Sequence, residues 1–324
     1  MISPNVPALV LAPMEGVTDA PVRALLGANG AFTYAVSEFV RVSAGALPAK
    51  VFRRSVPELL SGAKTPSGLP VQVQILGGNP ELVAETAVNA WKVGATCIDL
   101  NFGCPAPLVN THDGGASLLR HPCRLRDIVA AVKAAVPVPV SAKLRLGWDN
   151  INAIHENAAM AAEGGASWLT IHARTKVQGY APPVYWQPIG KVREDLGLPV
   201  IANGDIWTLA DFRRCREETG CIHYMLGRSA LADPSLSFAV ARELGISTLP
   251  VPSVDWLALM RGHVHWSQHY GYGVPRLMLL RLKQWLAMAS KFGNCPYFDA
   301  LKRTQTIDEF FSRLEELVGE PALC

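Results

Sequence analysis

The sequence has no long hydrophobic run and no large excess of charge of either sign. No stretch of about 18 consecutive apolar residues occurs, so we expect no membrane-spanning helix. Residues 1–7 carry no basic segment ahead of an apolar run, and we therefore expect no secretion signal. The net charge of +3 over 324 residues neither requires nor excludes a nucleic-acid partner.

Patterns that form disulfides or metal sites are also missing. The seven cysteines are odd in number and lack CxxC spacing, which argues against a disulfide framework or a zinc site. His263, His265 and His269 lie close together, but no carboxylate accompanies them, so we interpret them as surface histidines. We therefore expect a reduced, cytoplasmic protein that binds no metal, and we take it to be a monomer.

Eight short apolar runs, often rich in β-branched residues, predict strands. They span residues 8–14, 34–40, 71–77, 97–103, 138–146, 168–174, 199–205 and 224–228. Helical patterns lie between them, clearest at 80–93, 124–135, 154–164 and 209–219. This alternation indicates an α/β protein with a parallel sheet, and eight units favour a (β/α)8 TIM barrel. An open doubly wound sheet is the alternative, although no GxGxxG follows the first strand.

A change of pattern near residue 244 predicts a domain boundary. Residues 1–244 carry the barrel pattern, and residues 245–253 contain Pro250 and Pro252, as is typical of a linker. Helical patterns at 255–269, 275–292 and 298–317 predict a small C-terminal all-α bundle over residues 254–324. Its core is expected to contain Trp256, Trp266, Trp285 and Phe292.

Polar residues and glycines follow most predicted strands, at the edge where barrel enzymes build their active sites. After the last two strands the residues are suited to a phosphate, because glycine admits the anion to the backbone and arginine pairs with it. They are Asn203, Gly204, Asp205, Gly227 and Arg228.

Other strand ends suggest a polar ring system. Lys143 ends an otherwise apolar strand, where it would stabilise a developing anion such as the N1–C2=O region of a reduced flavin. Gln74, Asn101 and His172 have donors and acceptors for the edges of a flat heterocycle. A lysine reaching solvent and a core histidine are the simpler readings of Lys143 and His172. The combined pattern predicts a phosphate-bearing cofactor.

Cys104 is the candidate catalytic residue. It follows a buried strand in residues 98–105 (IDLNFGCP), and residues 114–116 (GGA) come shortly after it. A single cysteine is more often a small buried hydrophobe. Its place between Gly103 and Pro105 at a strand end favours catalysis, because the thiol would be held where a substrate can reach it.

Several motifs together resemble the tRNA-dihydrouridine synthases, which are FMN enzymes with a barrel and a helical domain. They are residues 100–105 (LNFGCP) with 114–116 (GGA), 12–19 (APMEGVTD), 172–180 (HARTKVQGY) and 201–206 (IANGDI), in family order. Residues 38–42 (EFVRV) and 280–286 (LRLKQWL) are similar to the bacterial DusC branch, which reduces the D-loop uridine at tRNA position 16. The resemblance spans most of the chain and is weakest after residue 293.

The resemblance implies a reaction and a set of site residues. NADPH would reduce FMN, hydride would pass to C6 of uracil, and Cys104 would protonate C5. Residues carried over to the cofactor are Pro13, Met14, Gln74, Lys143, His172, Asn203, Gly204, Asp205, Gly227 and Arg228. Asn101 and Tyr180 would contact the flipped uridine, and Arg41, Arg281, Lys283 and Arg303 would contact tRNA, with Lys302 an equal candidate for the last.

Two departures from the family pattern concern the loop after Cys104. Residues 106–108 (APL) lack the basic residue often found there, and residues 110–114 (NTHDG) are less glycine-rich. Three other functions remain open on the sequence: a small-molecule flavin reductase, a flavin-free phosphate-binding barrel enzyme, and an RNA-binding module without catalysis.

Overall fold

Parallel strands close into a barrel in this structure, a computed structural model that describes residues 2–110 and 114–319. The strands are Ala8–Leu11 (β1), Tyr34–Val36 (β2), Val40–Arg41 (β3), Val71–Leu76 (β4), Ile98–Asn101 (β5), Val140–Arg145 (β6), Leu169–His172 (β7), Val200–Asn203 (β8) and His223–Leu226 (β9). Strands β4 to β9 pair in order, β1 pairs with β9 and β2, and β2 pairs with β4. The eight-stranded ring is thereby closed, and the short β3 pairs with β4 beside it.

Alternate side chains of each strand face opposite sides of the barrel wall. On β5, Ile98 and Leu100 join the hydrophobic core between the wall and the helices, whereas Asp99 and Asn101 bond to polar side chains of neighbouring strands. Within the barrel, an apolar cluster that includes Trp168 and Met225 is separate from that outer core. The interior therefore combines apolar residues with a polar group that leads to the carboxyl ends of the strands.

Helices cover the outside of the barrel and continue beyond it. The helices are Ala20–Gly27 (α1), Ala49–Ser55 (α2), Pro80–Lys92 (α3), Pro107–Asn110 (α4), Pro122–Ala135 (α5), Ala153–Glu163 (α6), Gln187–Asp195 (α7), Leu209–Thr219 (α8), Arg228–Ala232 (α9), Pro234–Glu243 (α10), Trp256–His269 (α11), Pro275–Phe292 (α12), Phe298–Leu301 (α13) and Ile307–Gly319 (α14). Helix α11 packs against α1, and α12 packs against α9. The C-terminal helices thus lie directly on the barrel.

The TIM-barrel prediction is confirmed, but several element boundaries were wrong. The predicted strand 34–40 is interrupted after Val36, where the Ser37 hydroxyl donates to the Glu38 carbonyl and accepts from the backbone N–H of Gln74. The predicted helix 298–317 is also broken. Thr304 bonds back to the Leu301 carbonyl at 2.8 Å, which ends one helix before the next begins at Ile307.

Two predictions about C-terminal side chains were also wrong. His263 is buried, packs edge-on against Trp285 and lies 3.2 Å from the Ser267 hydroxyl, so it is not a surface histidine. Phe292 is 38% exposed and stacks on Trp207 of the barrel instead of filling the helical core. Both outcomes follow from contacts between distant parts of the chain.

Across residues 2–110 and 114–319, every helix is too short or too polar to span a bilayer. No group of three or more His, Cys, Asp or Glu side chains in that part of the chain is arranged to hold a metal ion.

Candidate active site

A cavity of about 590 Å³ opens at the carboxyl ends of the barrel strands. Most of the residues predicted for the site line it: Pro13, Met14, Asn101, Cys104, Lys143, His172, Tyr180, Asn203, Gly204, Asp205, Gly227 and Arg228. Its size is in the range of small-molecule and cofactor sites, about 300–1,000 Å³. The barrel therefore brings together residues that are up to 215 positions apart in the chain, from Pro13 to Arg228.

The Cys104 loop is fixed by the side chain of Asn101. Its Oδ1 accepts hydrogen bonds from the backbone N–H groups of Gly103 and Cys104, both at 2.9 Å. Burial raises the pKa of the Cys104 thiol above its usual value, and the charge of Glu15 acts in the same direction. The thiol consequently keeps its proton near neutral pH and is available as an acid.

Lys143 places a positive charge on the wall of the cavity. Its Nζ donates to Asn203 Oδ1 at 3.1 Å, and Asn203 Nδ2 donates to the Met225 carbonyl at 2.9 Å. Burial, together with the charge of Arg145, lowers the pKa of Lys143 to about 8. At neutral pH most molecules still carry the charge, which suits a group that faces a developing anion.

His172 lies on the same wall and is held neutral. Burial and the positive charges of Arg145 and Lys143 lower its pKa well below the ordinary value. Its Nδ1 is buried, and no described residue forms a hydrogen bond with that atom. A buried polar atom without a partner, on a residue that lines a cavity, is suited to a polar group of a ligand.

Glycine and two arginines shape one end of the cavity. Gly204 has a φ of +113° and Asp205 a φ of +47°, so the chain turns sharply after β8. The Asp205 carboxylate accepts from Arg174 at 2.5 Å and from Arg228 at 3.2 Å. Burial alone would raise the pKa of Asp205, but the bond and charge of Arg174 lower it overall.

Aromatic rings surround the Arg228 guanidinium. Its carbon lies 4.6 Å from the centre of the Tyr180 ring and 5.1 Å from the centres of both Trp207 and Phe292. Tyr180 is 54% exposed, and its ring meets His172 edge-on at 6.1 Å. The mouth of the cavity thus offers exposed aromatic surface beside a cation, which is the combination that binds nucleic-acid bases.

These features fit a phosphate-bearing flavin. Such a cofactor presents a dianionic phosphate and a ring whose N1–C2=O side becomes negative on reduction. Arg228, which also pairs with Asp205, and the glycines after β8 and β9 line the part of the cavity suited to the phosphate, and Lys143 lines the part suited to the ring. The unpartnered Nδ1 of His172 adds a polar contact that the protein itself does not satisfy.

Five predicted residues lie away from the cavity wall. Gln74 is fully buried behind Asn101 and bonds to it, and Arg41 is half-buried on β3. Arg281 bonds to Asp19, and Lys283 donates to the Thr304 carbonyl. Arg303 is exposed in the turn between α13 and α14, next to Lys302, which pairs with Asp299.

The sequence reasoning missed Arg145, which joins two loops of the site. Its Nε donates to the Gly103 carbonyl at 2.8 Å, and its Nη1 donates to the Gly179 carbonyl at 2.7 Å. It thereby holds the Cys104 loop next to the Tyr180 loop. The signal was available, because Lys143 and Arg145 are two residues apart on one strand and so share a face.

Other missed lining residues come from separate segments: Glu15, Phe39, Trp207 and Met288. Met288 belongs to α12, so the C-terminal helices contribute to the cavity itself. The less glycine-rich loop predicted at 110–114 includes residues 111–113, which lie outside the described part of the chain.

Comparison with known proteins gives a consistent picture. A model described as dihydrouridine synthase (Dus) matches residues 10–289. The chain is 45% identical over 287 residues to the tRNA-dihydrouridine(16) synthase of Pseudomonas putida, covering 87% of this chain and 88% of the relative. It is 43% identical over 312 residues to the protein of that name from Shewanella oneidensis, covering 96% of each.

A solved structure supports the fold alone. The old yellow enzyme homologue from Zymomonas mobilis superposes with a TM-score of 0.51 at 12% identity, covering 76% of this chain and 91% of that one.

Proposed function

This chain belongs to the dihydrouridine synthase family, and from that premise we propose that it reduces uridine 16 in the D-loop of tRNA to 5,6-dihydrouridine. The family resemblance found in the sequence is thereby confirmed. We further propose FMN as the flavin and NADPH as the reductant. Bound FMN would supply the hydride that is added to C6 of the uracil ring.

The observation that carries the proposal is a cysteine and a buried lysine on the wall of one cavity. Cys104 and Lys143 both line it, and burial raises the pKa of the Cys104 thiol. In the proposed reaction, the C5=C6 double bond is lost, C6 gains hydride, and the Cys104 Sγ gives its proton to C5. The resulting thiolate takes a proton from water. NADPH is oxidised to NADP+ and uridine is reduced, so electrons balance.

Substrate handling is assigned to the rim of the cavity. A uridine in the D-loop must leave its stack to reach a flavin within the barrel, and an exposed ring such as Tyr180 can receive it. We assign Asn101 to the edge of that base. Residues 254–324 are proposed as a tRNA-binding domain. Its residues Arg281, Lys283 and Arg303, together with Arg41 on β3, are proposed as contacts to the phosphate backbone.

The test is dihydrouridine mapping on tRNA from a strain that lacks this protein. We expect loss at position 16 alone, restored by wild type and not by Cys104→Ala. Loss at another position would overturn the choice of uridine. No loss at any position would overturn the proposed function. The absorption spectrum of the purified protein tests the cofactor separately, because a colourless protein would contradict FMN.

A further inference from the structure

Buried hydrogen bonds run from the middle of the barrel to the Cys104 loop. Asp99 Oδ2 accepts from Gln74 Nε2 at 2.6 Å, and Gln74 Oε1 accepts from Asn101 Nδ2 at 2.8 Å. Asn101 Oδ1 in turn accepts the backbone N–H of Cys104 at 2.9 Å. We call these three side chains the Asp99 chain. Each is at most 8% exposed, so water does not replace these bonds.

In the Asp99 chain, each side-chain amide donates its N–H towards Asp99. An ionised carboxylate only accepts hydrogen bonds, so Gln74 must turn its amide nitrogen towards Asp99. The Gln74 oxygen then faces Asn101, which must present its own nitrogen and keep its oxygen for the Cys104 loop. A reversed Asn101 amide would set an N–H2 group against the N–H groups of Gly103 and Cys104, leaving these partly buried donors without acceptors.

Asp99 itself has no contact with the cavity. It does not line the pocket, and its second oxygen accepts from the Ser141 hydroxyl at 2.6 Å. Burial raises the pKa of Asp99 to about 6, while the bonds from Gln74 and Ser141 and the nearby charge of Lys143 act against this rise, so the carboxylate is mostly ionised at neutral pH. Burying such a charge without a direct cation partner is costly. A neutral residue would fill this position in the core at lower cost, so its charge calls for another explanation.

We propose that Asp99 is a positioning residue that sets the orientation of the Gln74 and Asn101 amides and thereby holds the Cys104 loop. The inference rests on the proposed function for its meaning in catalysis, because Cys104 is the proposed proton donor. It does not require flavin or tRNA to be tested. The position of the thiol is measured directly by its reactivity.

The central experiment measures the alkylation rate of Cys104 by iodoacetamide, read on its peptide by mass spectrometry. In Asp99→Asn the two amides can reverse and the Cys104 loop can lose its bonds to Asn101, so we expect alkylation to accelerate by at least about tenfold, the effect of losing a single hydrogen bond. Ser141→Ala is the matched control. It removes a bond of the same length to Asp99 on the side that leads away from Cys104, and its rate should stay near wild type.

A second variant tests whether the orientation of the amides controls the Cys104 loop. Asp99→Asn combined with Gln74→Glu moves the acceptor-only group one step along the chain, which again forces Asn101 to present its nitrogen. We expect the alkylation rate to return towards wild type. A residue needed only for packing would not be rescued in this way, and a double variant as fast as Asp99→Asn would overturn the proposal.

Folding and catalysis are separated by two further measurements. If Asp99→Asn does not fold, Gln74→Met interrupts the same chain and should show the same acceleration; a wild-type rate would overturn the proposal. With tRNA as substrate, Asp99→Asn should lower kcat with KM unchanged. If wild type itself reduces no tRNA, the proposed function fails, and the alkylation rates still decide the role of Asp99.

Discussion

Arg281 Nη2 lies 2.6 Å from Asp19 Oδ2, and the same nitrogen donates to the Val17 carbonyl at 3.0 Å. One turn further along α12, Gln284 donates to the Gly16 carbonyl. The loop that these bonds hold continues into Met14 and Glu15 on the cavity wall. Lys283 is two residues from Arg281 but faces away, towards the Thr304 carbonyl. Two basic residues of one helix thus have different structural neighbours.

Arg281→Ala is expected to weaken flavin binding, because it releases the loop at the cavity wall. Loss of a charge-assisted bond of this kind corresponds to about tenfold in affinity. Lys283→Ala is the matched control and should leave flavin affinity unchanged. Fluorescence titration of FMN into apoprotein measures both. Equal flavin affinities in the two variants would show that the bond of Arg281 to Asp19 does not support the cavity wall.

Cys104→Ala should retain flavin and tRNA affinity but lose turnover by about 10²–10⁴-fold, the usual contribution of a positioned acid. Only the proton donor is removed, and the loop bonds of its backbone remain. Cys123→Ala provides the control, because Cys123 is an exposed cysteine on α5. The measurement is the rate of dihydrouridine formation per enzyme molecule. Wild-type rates in Cys104→Ala would show that another group protonates C5.

Affinity for the reduced flavin should fall as pH rises through about 8, the pKa to which burial and the charge of Arg145 lower Lys143. Above that pH the amine is neutral and no longer offers a positive charge to the anion of the reduced ring. An unfolded lysine keeps its proton to about pH 10.4, so between these values the unfolded chain binds more protons. This site's contribution to stability therefore rises with pH while affinity falls. In Lys143→Met, affinity should be low at every pH; a pH-dependent loss in that variant would assign the titration elsewhere.

Breaking the buried pair of Arg23 and Glu58 should strongly destabilise the first part of the barrel. Both side chains are fully buried and form two bonds of 2.8 and 2.9 Å. Glu58→Ala leaves an unpaired buried cation, which costs about 3–5 kcal/mol in the free energy of unfolding. Urea denaturation measures this cost.

The double variant Arg23→Met with Glu58→Leu should recover most of the stability lost in Glu58→Ala, because no unpaired charge is left. Failure to recover would point instead to the bond that Arg23 makes with the Thr18 carbonyl at 2.7 Å.

Local pattern predicted most of the barrel, since each buried strand is a short apolar run followed by polar residues or glycine. Side chains at strand ends, such as Lys143 and Asn203, meet in any closed parallel barrel, so their grouping also followed from the sequence. Contacts between remote segments did not. Trp207 and Phe292 stack at 5.0 Å although 85 residues separate them, and nothing local marks either ring for that contact.

Predictions carried over from the family place basic residues near tRNA but do not describe their contacts within the protein. Arg281 illustrates the difference, because its bond to Asp19 depends on how α12 docks on the barrel. The sequence also did not reveal the interruption after Val36, because the Ser37 hydroxyl that accepts from the backbone N–H of Gln74 lies inside a run interpreted as one strand.

The alternation of side chains along β5 has a consequence for changes in chain length. Deleting one codon within this strand would exchange its two faces, sending Asp99 and Asn101 towards the helices and Leu100 into the barrel. Both the outer core and the Cys104 loop would fail together. We therefore expect single-residue deletions to abolish folding throughout each barrel strand and to be tolerated outside it. Single substitutions at outward positions should instead reduce stability by varying amounts. The alternation of inward and outward positions, as much as residue identity, would then limit which insertions and deletions the barrel strands tolerate.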